Sequence, residues 1–546
     1  MVRPGSHSGD RPPLRPVDLD VLRTGVDVLD RVVDRTRRHL AGHDVDECQT
    51  VAYDLAHVAA AARIARLLVD DTAADPGDEP RRRLALAFCA DAVADTAARL
   101  AGRHRDWGIE PDALAPAEPV VAAGRQPELI ASLHDSPVAP RLDPDLALVA
   151  ETFARFADER IRPVAGDIHR HDTDVPEDII TGLAELGAFG LSIPAEHGGV
   201  APGEGRDQLA MVVATEELSR GSLAAGGSLM TRPEILTRAL LAGGTPDQRA
   251  RWLPRIATGE IMVAVAVTEP DRGSDVAGLR FAARPAPGGG WLLDGTKTWC
   301  TFAGRAEVLM LLARTEPDVA GHRGLSLFVV PKPRDAGHAF DHVQEAGAGA
   351  PGGGRLRGRA IPTIGYRGMH SFEVSFENWW VPDDALVGGE AGRGRGFHLT
   401  MEGFENGRLQ TAARALGVMR AAHEAAADYA TERIVFGRPV ADHELTRVKL
   451  GRMAMLIAAG RAFTHHTAVL MGRGEGALEA SMVKAHVCRA AEWVTREALQ
   501  IHGGMGYAEE YEVSRLYVDA RVLSIFEGAD EILCLKVISR RLLGPR

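Results

Sequence analysis

The sequence predicts an α+β chain in which helices come first, a block of short strands follows and long helices close it. Three observations carry that prediction. Up to about residue 260, apolar side chains recur at three- and four-residue spacing, the period of an amphipathic helix. At Ile261 the period shortens to two, with Met262, Ala264, Ala266 and Thr268 alternating. Beyond Pro382 the helical period returns in long uninterrupted runs.

Residues 1–16 are polar, rich in Pro, Gly and Arg, and lack the apolar run of a signal peptide, so a disordered tail is expected. In 17–107, Val21, Leu22, Val26, Leu29, Val32 and Val33 form one stripe. Runs at 51–69 and 81–100 add two more helices, enough for a small bundle. Residues 108–144 carry many prolines and few periodic apolar residues, which predicts a linker draped over the surface.

A helical domain is expected over 145–260. Leu146, Val149, Ala150, Phe153, Phe156 and Ala157 make its first stripe, and residues 214–241 give two helices around the small-residue run 221–228. Residues 261–384 should form an antiparallel, barrel-like β domain, with strands at 291–293, 308–312, 325–330 and 372–376 between Gly and Pro turns. The glycine-rich segment 347–358 should be a flexible excursion rather than a strand interior. In 385–546, helices at 397–430, 442–472, 477–501 and 531–543 predict a four-helix bundle.

Composition bounds the function. A length of 546 residues suggests three or four domains, and 45% hydrophobic with 25% charged residues is a soluble balance. The net charge of −12, with no basic block, disfavours nucleic acid as a partner. Five scattered cysteines suggest neither a metal site nor a disulfide framework, so a reducing cytoplasm is expected. No run reaches the roughly 18 apolar residues that argue for a membrane span.

One stretch stands out chemically. Ser524-Ile525-Phe526-Glu527-Gly528-Ala529-Asp530-Glu531-Ile532 sets an acid among apolar neighbours, where it could serve as a general base. Upstream lie Val267-Thr268-Glu269-Pro270-Asp271-Arg272-Gly273-Ser274-Asp275, Gly295-Thr296-Lys297-Thr298-Trp299-Cys300-Thr301, Arg433-Ile434-Val435-Phe436-Gly437-Arg438 and Gln500-Ile501-His502-Gly503-Gly504-Met505-Gly506-Tyr507. In this order the set resembles the acyl-CoA dehydrogenase family, over roughly residues 145–546. The bundle at 17–107 is a departure from that plan.

The resemblance implies the family's three-domain fold, FAD as cofactor and an acyl-CoA substrate. Oxidising an acyl thioester at Cα–Cβ needs a hydride acceptor that no side chain supplies, and the sequence has no Gly-x-Gly-x-x-Gly after a strand. By the resemblance, Val265, Val267, Thr268, Ser274, Trp299 and Thr301 line the flavin. Arg433, Phe436, Gln500, Gly503 and Gly504 meet the FAD diphosphate of a neighbouring subunit, which implies a homodimer or a homotetramer. Glu527 matches the family's base. Some members carry the base one helix earlier, where Gly407 stands here. Ser274, Glu405, Arg408 and Gly528 fall on the substrate side, and an electron-transfer flavoprotein is the implied electron acceptor.

The extension, the length and the run Ile364-Gly365-Tyr366-Arg367-Gly368-Met369-His370-Ser371-Phe372-Glu373 look most like the family's (2S)-methylsuccinyl-CoA dehydrogenase branch, which forms mesaconyl-CoA in the ethylmalonyl-CoA pathway. A free carboxylate on the acyl group would need a cation, for which Arg220, Arg232, Arg367 and His370 are candidates. Rival readings are a dehydrogenase of another short or medium acyl-CoA, an acyl-CoA oxidase, and a non-enzymatic flavoprotein of the same fold.

Overall fold

The computed structural model describes residues 18–201, 203, 205–347 and 352–544. The expected tail at 1–16 lies outside the described residues. Three helices open the chain: α1 (Leu19–His39), α2 (Gln49–Ala74) and α3 (Glu79–Leu100). Leu22, Val26 and Leu29 of the predicted stripe are fully buried, as are Leu55 and Ile64 of α2. The unit lies against the C-terminal bundle, with α2 packed on helix Ala477–His502 and on the π-helical turn Leu533–Ser539.

Residues 108–144 correct the sequence reading. Instead of a surface linker they hold helices Glu118–Gly124 and Pro127–Asp135, with Val120, Leu129 and Leu133 buried. Pro119 and Pro127 stand in the first turns, where the missing N–H costs nothing and the fixed φ favours a helix start. Helix Pro127–Asp135 lies on helix Glu444–Gly472 so closely that a Cβ at Gly451 would come within 1.9 Å of the Ile130 carbonyl oxygen. The segment cements the extension to the main body.

Helices Pro144–Phe156, Arg162–His171, Asp207–Gly221 and Ser228–Gly243 follow. The small-residue run falls in a π-helical turn, Leu223–Gly227, between the last two. The β domain comprises β1 (Val263–Ala266), β2 (Ala282–Pro285), β3 (Trp291–Thr301), β4 (Val308–Arg314), β5 (Leu325–Pro331), β6 (Ala339–Gln344), β7 (Gly354–Ile361) and β8 (Ser371–Val381). Their order is β1-β4-β2-β3-β8-β7-β6, with β5 on the other side of β4. The sheet is mixed rather than wholly antiparallel, because β4 runs parallel to both β1 and β2.

β7 also overturns the flexible excursion expected at 347–358, of which 348–351 lie outside the described residues. Gly354 and Gly358 are strand residues. Gly358 is required there, since a Cβ would sit 2.2 Å from the Phe340 ring of β6. The ring covers the gap that the glycine leaves.

The C-terminal part is built on helix Gly396–Glu432, which crosses helix Asp207–Gly221 closely: a Cβ at Gly417 would meet the Glu216 carbonyl oxygen at 2.3 Å. Helices Glu444–Gly472 and Ala477–His502 flank it. Helix Glu512–Leu523, with Val513, Leu516, Ala520 and Leu523 buried, was not expected. Among the described residues no helix is long and apolar enough to cross a membrane.

Candidate active site

Glu527 sits in the loop between helix Glu512–Leu523 and the short helix Asp530–Ile532. Its φ is +54°, and Gly528 follows at +101°. For a non-glycine residue that conformation is strained by roughly 1–2 kcal/mol, so neighbours must hold it. Lys484, buried on helix Ala477–His502, donates from Nζ to the Gly528 carbonyl at 2.5 Å. The Asp530 amide closes the loop onto the Ser524 carbonyl at 3.1 Å. The Glu527 amide donates to no acceptor among the described residues.

The Glu527 carboxylate faces Gly407, where a Cβ would lie 3.0 Å from Oε2. Ile235 borders the same space, 3.6 Å from that point. Arg408, next in the helix, is buried, and among the described residues it makes one long contact, to Ser481 Oγ at 3.4 Å. Burial lowers its pKa, with Glu405 and Glu527 opposing. Glu405 pairs with Arg541 at 3.4 Å.

Beyond Phe526 lies a cationic cluster. Arg414, fully buried, stacks its guanidinium 4.5 Å from the Phe526 ring centre. Arg232, 5% exposed, lies 5.8 Å from the Tyr366 ring, which meets Phe526 edge-on at 5.7 Å. Ser228 joins the two arginines: its Oγ faces Arg414 and its carbonyl faces Arg232, each at 3.4 Å. Among the described residues neither guanidinium has a carboxylate within 4.0 Å, and the buried Tyr366 hydroxyl has no hydrogen-bond partner. Burial lowers the Arg414 pKa, Tyr366 opposes, and Arg232 lowers it further.

The other cation candidates are already engaged. Arg220 is held by Asp158 at 2.7 Å, Glu424 at 3.3 Å and Glu217 at 3.5 Å. Arg367 donates to the Thr363 and His169 carbonyls. His370 faces Asp174 at 3.1 Å and His338 at 3.2 Å. Each of the three thus has a carboxylate within 4.0 Å, which for Arg367 is Asp172, and is set aside as a ligand for a substrate carboxylate. Arg232 remains, and Arg414, Ser228 and Tyr366 join it.

A second group surrounds β3. The strand is bulged between Lys297 and Cys300, and Trp299 sits at φ +57° with its side chain 54% exposed. A bulge re-aims a side chain out of the sheet's alternation. The Thr298 amide donates to the Thr268 carbonyl at 2.9 Å, tying the 268–274 loop to this strand. Lys297 Nζ, fully buried, donates to the Val267 carbonyl at 2.8 Å and to Glu269 at 3.0 Å. Burial pushes the Lys297 pKa down to about 8 against the pull of Glu269. For Glu269, burial raises the pKa, but Lys297 and the Arg280 and Phe281 amides outweigh it. Val267 is buried with its carbonyl taken, so it shapes the loop, whereas Val265 is half-buried and Ser274 exposed. Thr301 Oγ1 and Ser371 Oγ are 2.9 Å apart.

A third group lies at an edge of the bundle. Tyr429 and His502 stack at 4.2 Å, bringing the end of helix Gly396–Glu432 beside the end of helix Ala477–His502. Arg433 and Gln500 are exposed, as is Phe436 at 94% with φ +52°. A Cβ at Gly503 or Gly504 would meet nothing within 4 Å, which leaves this backbone open to a ligand.

Comparison with known proteins settles the family. Residues 143–260 match the description "Acyl-CoA dehydrogenase, N-terminal domain", 264–379 the middle domain and 394–543 the C-terminal domain. The chain belongs to the acyl-CoA dehydrogenase family. It is 43% identical over 404 residues to a (2S)-methylsuccinyl-CoA dehydrogenase of Cereibacter sphaeroides, covering 74% of this chain and 70% of the relative. An acyl-CoA dehydrogenase of Bacillus subtilis (strain 168) is 36% identical, covering 71% and 95%. Among solved structures, a glutaryl-coenzyme A dehydrogenase with glutaryl-CoA superposes with a TM-score of 0.65 at 28% identity, covering 73% of this chain and 95% of that one. The protein is thus an FAD-dependent oxidoreductase with acyl-CoA dehydrogenase activity. Residues 18–142 precede all three matched regions.

Proposed function

We propose that the substrate is a short, branched dicarboxylyl-CoA, (2S)-methylsuccinyl-CoA, oxidised at Cα–Cβ to mesaconyl-CoA. The observation that carries this reading is the pair of buried guanidiniums near Glu527, Arg232 and Arg414, neither of which has a carboxylate within 4.0 Å among the described residues. Buried cations are normally paired, and a substrate's free carboxylate would supply the missing charge. The name of the 43%-identical relative supports the same assignment.

In this reading the carboxylate docks on Arg232, Arg414 and the Tyr366 hydroxyl, turning Cα toward Glu527. Glu527 takes the α-proton, and its free amide donates to the thioester carbonyl as enolate charge develops there. FAD, when bound, supplies the acceptor for the hydride that leaves Cβ. Trp299 shields that path from water, while Lys484 keeps the base's loop in place.

The residues present fit FAD: an exposed Trp on a bulge, hydroxyls at Thr268, Ser274 and Thr301, and an open glycine backbone at Gly503 and Gly504. We assign the Arg433, Phe436, Gln500, Gly503 and Gly504 edge to the diphosphate of a neighbouring subunit's FAD. A 94% exposed Phe436 fits an edge that a second copy covers in a homodimer or homotetramer. An electron-transfer flavoprotein is the proposed electron acceptor.

The test is anaerobic flavin bleaching with methylsuccinyl-, butyryl-, isovaleryl- and glutaryl-CoA. Fastest bleaching by methylsuccinyl-CoA is expected. Fastest bleaching by butyryl- or isovaleryl-CoA would overturn the dicarboxylyl reading, and rapid oxygen consumption during turnover would replace dehydrogenase by oxidase.

A further inference from the structure

The Ser524–Asp530 loop is held from two sides. One clamp, Lys484 on the Gly528 carbonyl, belongs to the C-terminal bundle. The other comes from α2, which precedes every region matched to the family. Tyr53 donates its hydroxyl to Asp530 Oδ2 at 2.6 Å, and His57 Nε2 lies 3.3 Å from the same oxygen. The two are four residues apart, so they project from one face of α2. Around them, Ser539 Oγ donates to the Ala52 carbonyl at 2.7 Å, Cys534 Sγ lies 3.5 Å from His57, and Lys536 pairs with Asp46.

The chemistry of the cluster is that of a clamp. Burial and the bond to Asp530 raise the Tyr53 phenol, so it remains a donor. Burial lowers the His57 pKa, with Asp530 opposing. Burial raises Asp530, but His57 and Tyr53 outweigh it and keep the carboxylate ionised. The Asp530 backbone is the loop's closing residue, bonded to the Ser524 carbonyl. Fixing the Asp530 side chain therefore fixes the C-terminal anchor of a loop whose tip is a left-handed Glu527.

We infer that the N-terminal helical unit positions the base: Tyr53 and His57, acting through Asp530, hold the Ser524–Asp530 loop so that Glu527 faces the substrate. They are positioning residues and touch no reacting atom. The inference rests on Glu527 being the base.

The test uses the full-length holoenzyme and methylsuccinyl-CoA, with and without deuterium at Cα. Tyr53→Phe removes one hydroxyl, and Tyr53→Phe/His57→Leu removes both contacts to Asp530. Lys536→Ala, which breaks a neighbouring contact of the extension without touching Asp530, serves as control. The expected result is an anaerobic bleaching rate lowered about tenfold by Tyr53→Phe and about a hundredfold by the double variant, the scale of a displaced reacting group. FAD content and substrate Kd should stay unchanged, and the isotope effect should rise, because proton abstraction becomes more rate-limiting. Lys536→Ala should match the parent.

An unchanged rate and isotope effect in both variants would overturn the inference. So would loss of FAD or a collapsed melting temperature in Tyr53→Phe, since the contact would then be merely structural. Glu527→Gln separates this from the functional reading. If Glu527→Gln still bleaches, the base assignment fails; if it is inert while Tyr53→Phe is normal, only the positioning role fails.

Discussion

Glu527 Oε2 lies 3.0 Å from where Gly407 would carry a Cβ. Two chain positions that could each supply a base thus converge on one point, and glycine at the first leaves room for the carboxylate from the second. Gly407→Ala should crowd the carboxylate and lower the single-turnover bleaching rate by about 10- to 100-fold, the cost of a small misplacement. FAD content should stay constant, since Gly407 faces the acid.

Arg414 and Arg232 should separate substrates by charge. Replacing Arg414 by Met leaves one cation for a free carboxylate, and the loss of a charged hydrogen-bonding partner is worth roughly 2–3 kcal/mol. The kcat/KM for methylsuccinyl-CoA should fall about 30- to 150-fold, while that for butyryl-CoA changes little. Arg232→Met should act in the same direction. A steady-state comparison of the two substrates checks both.

Glu234 makes stability depend on pH. Its side chain is buried, neither oxygen has a hydrogen-bond partner, and Arg238 is 3.5 Å away. Burial raises its pKa to about 7, with Arg238 opposing and Asp207 adding to the rise. The folded state therefore binds the proton more tightly than the unfolded chain. The contribution is fully present below the unfolded pKa of roughly 4.3 and is lost as pH rises through about 7. The swing is on the order of 3 kcal/mol. Glu234→Gln should flatten the loss between roughly pH 4.3 and about 7, read as melting temperature against pH.

Lys297 should control flavin retention. Lys297→Met strands Glu269 in a buried site where, among the described residues, the Arg280 and Phe281 amides are left to meet it. Breaking such a pair costs about 3–5 kcal/mol, and the start of the 268–274 loop keeps only its backbone tie to β3, the Thr298 amide on the Thr268 carbonyl. A lower melting temperature and a lower ratio of flavin to protein absorbance are expected.

Much of this was legible in the sequence because periodicity and motif order are local. The change of period at Ile261, the helices around 221–228 and the position of Glu527 needed no knowledge of distant contacts. The misreadings share a cause in partners far along the chain. Prolines at 119 and 127 read as breakers until their placement in first helical turns is seen. Gly358 reads as flexible until the Phe340 ring covers it. Arg414 carried no signal in the sequence, and only the packing of Phe526 and Ser228 shows it to be buried. Helix Glu512–Leu523 was missed although Val513, Leu516, Ala520 and Leu523 kept the helical spacing, because polar Arg515 and Asp519 are buried between them. Asp519 accepts the Tyr366 amide at 2.6 Å and so orients the cationic cluster.

The backbone at position 527, with φ +54°, is one that glycine adopts freely and glutamate resists. A glycine there would relax the loop and firm up the fold, and, in the mechanism proposed above, would extinguish turnover. A lineage no longer selected for this reaction would drift toward the sturdier, inert version.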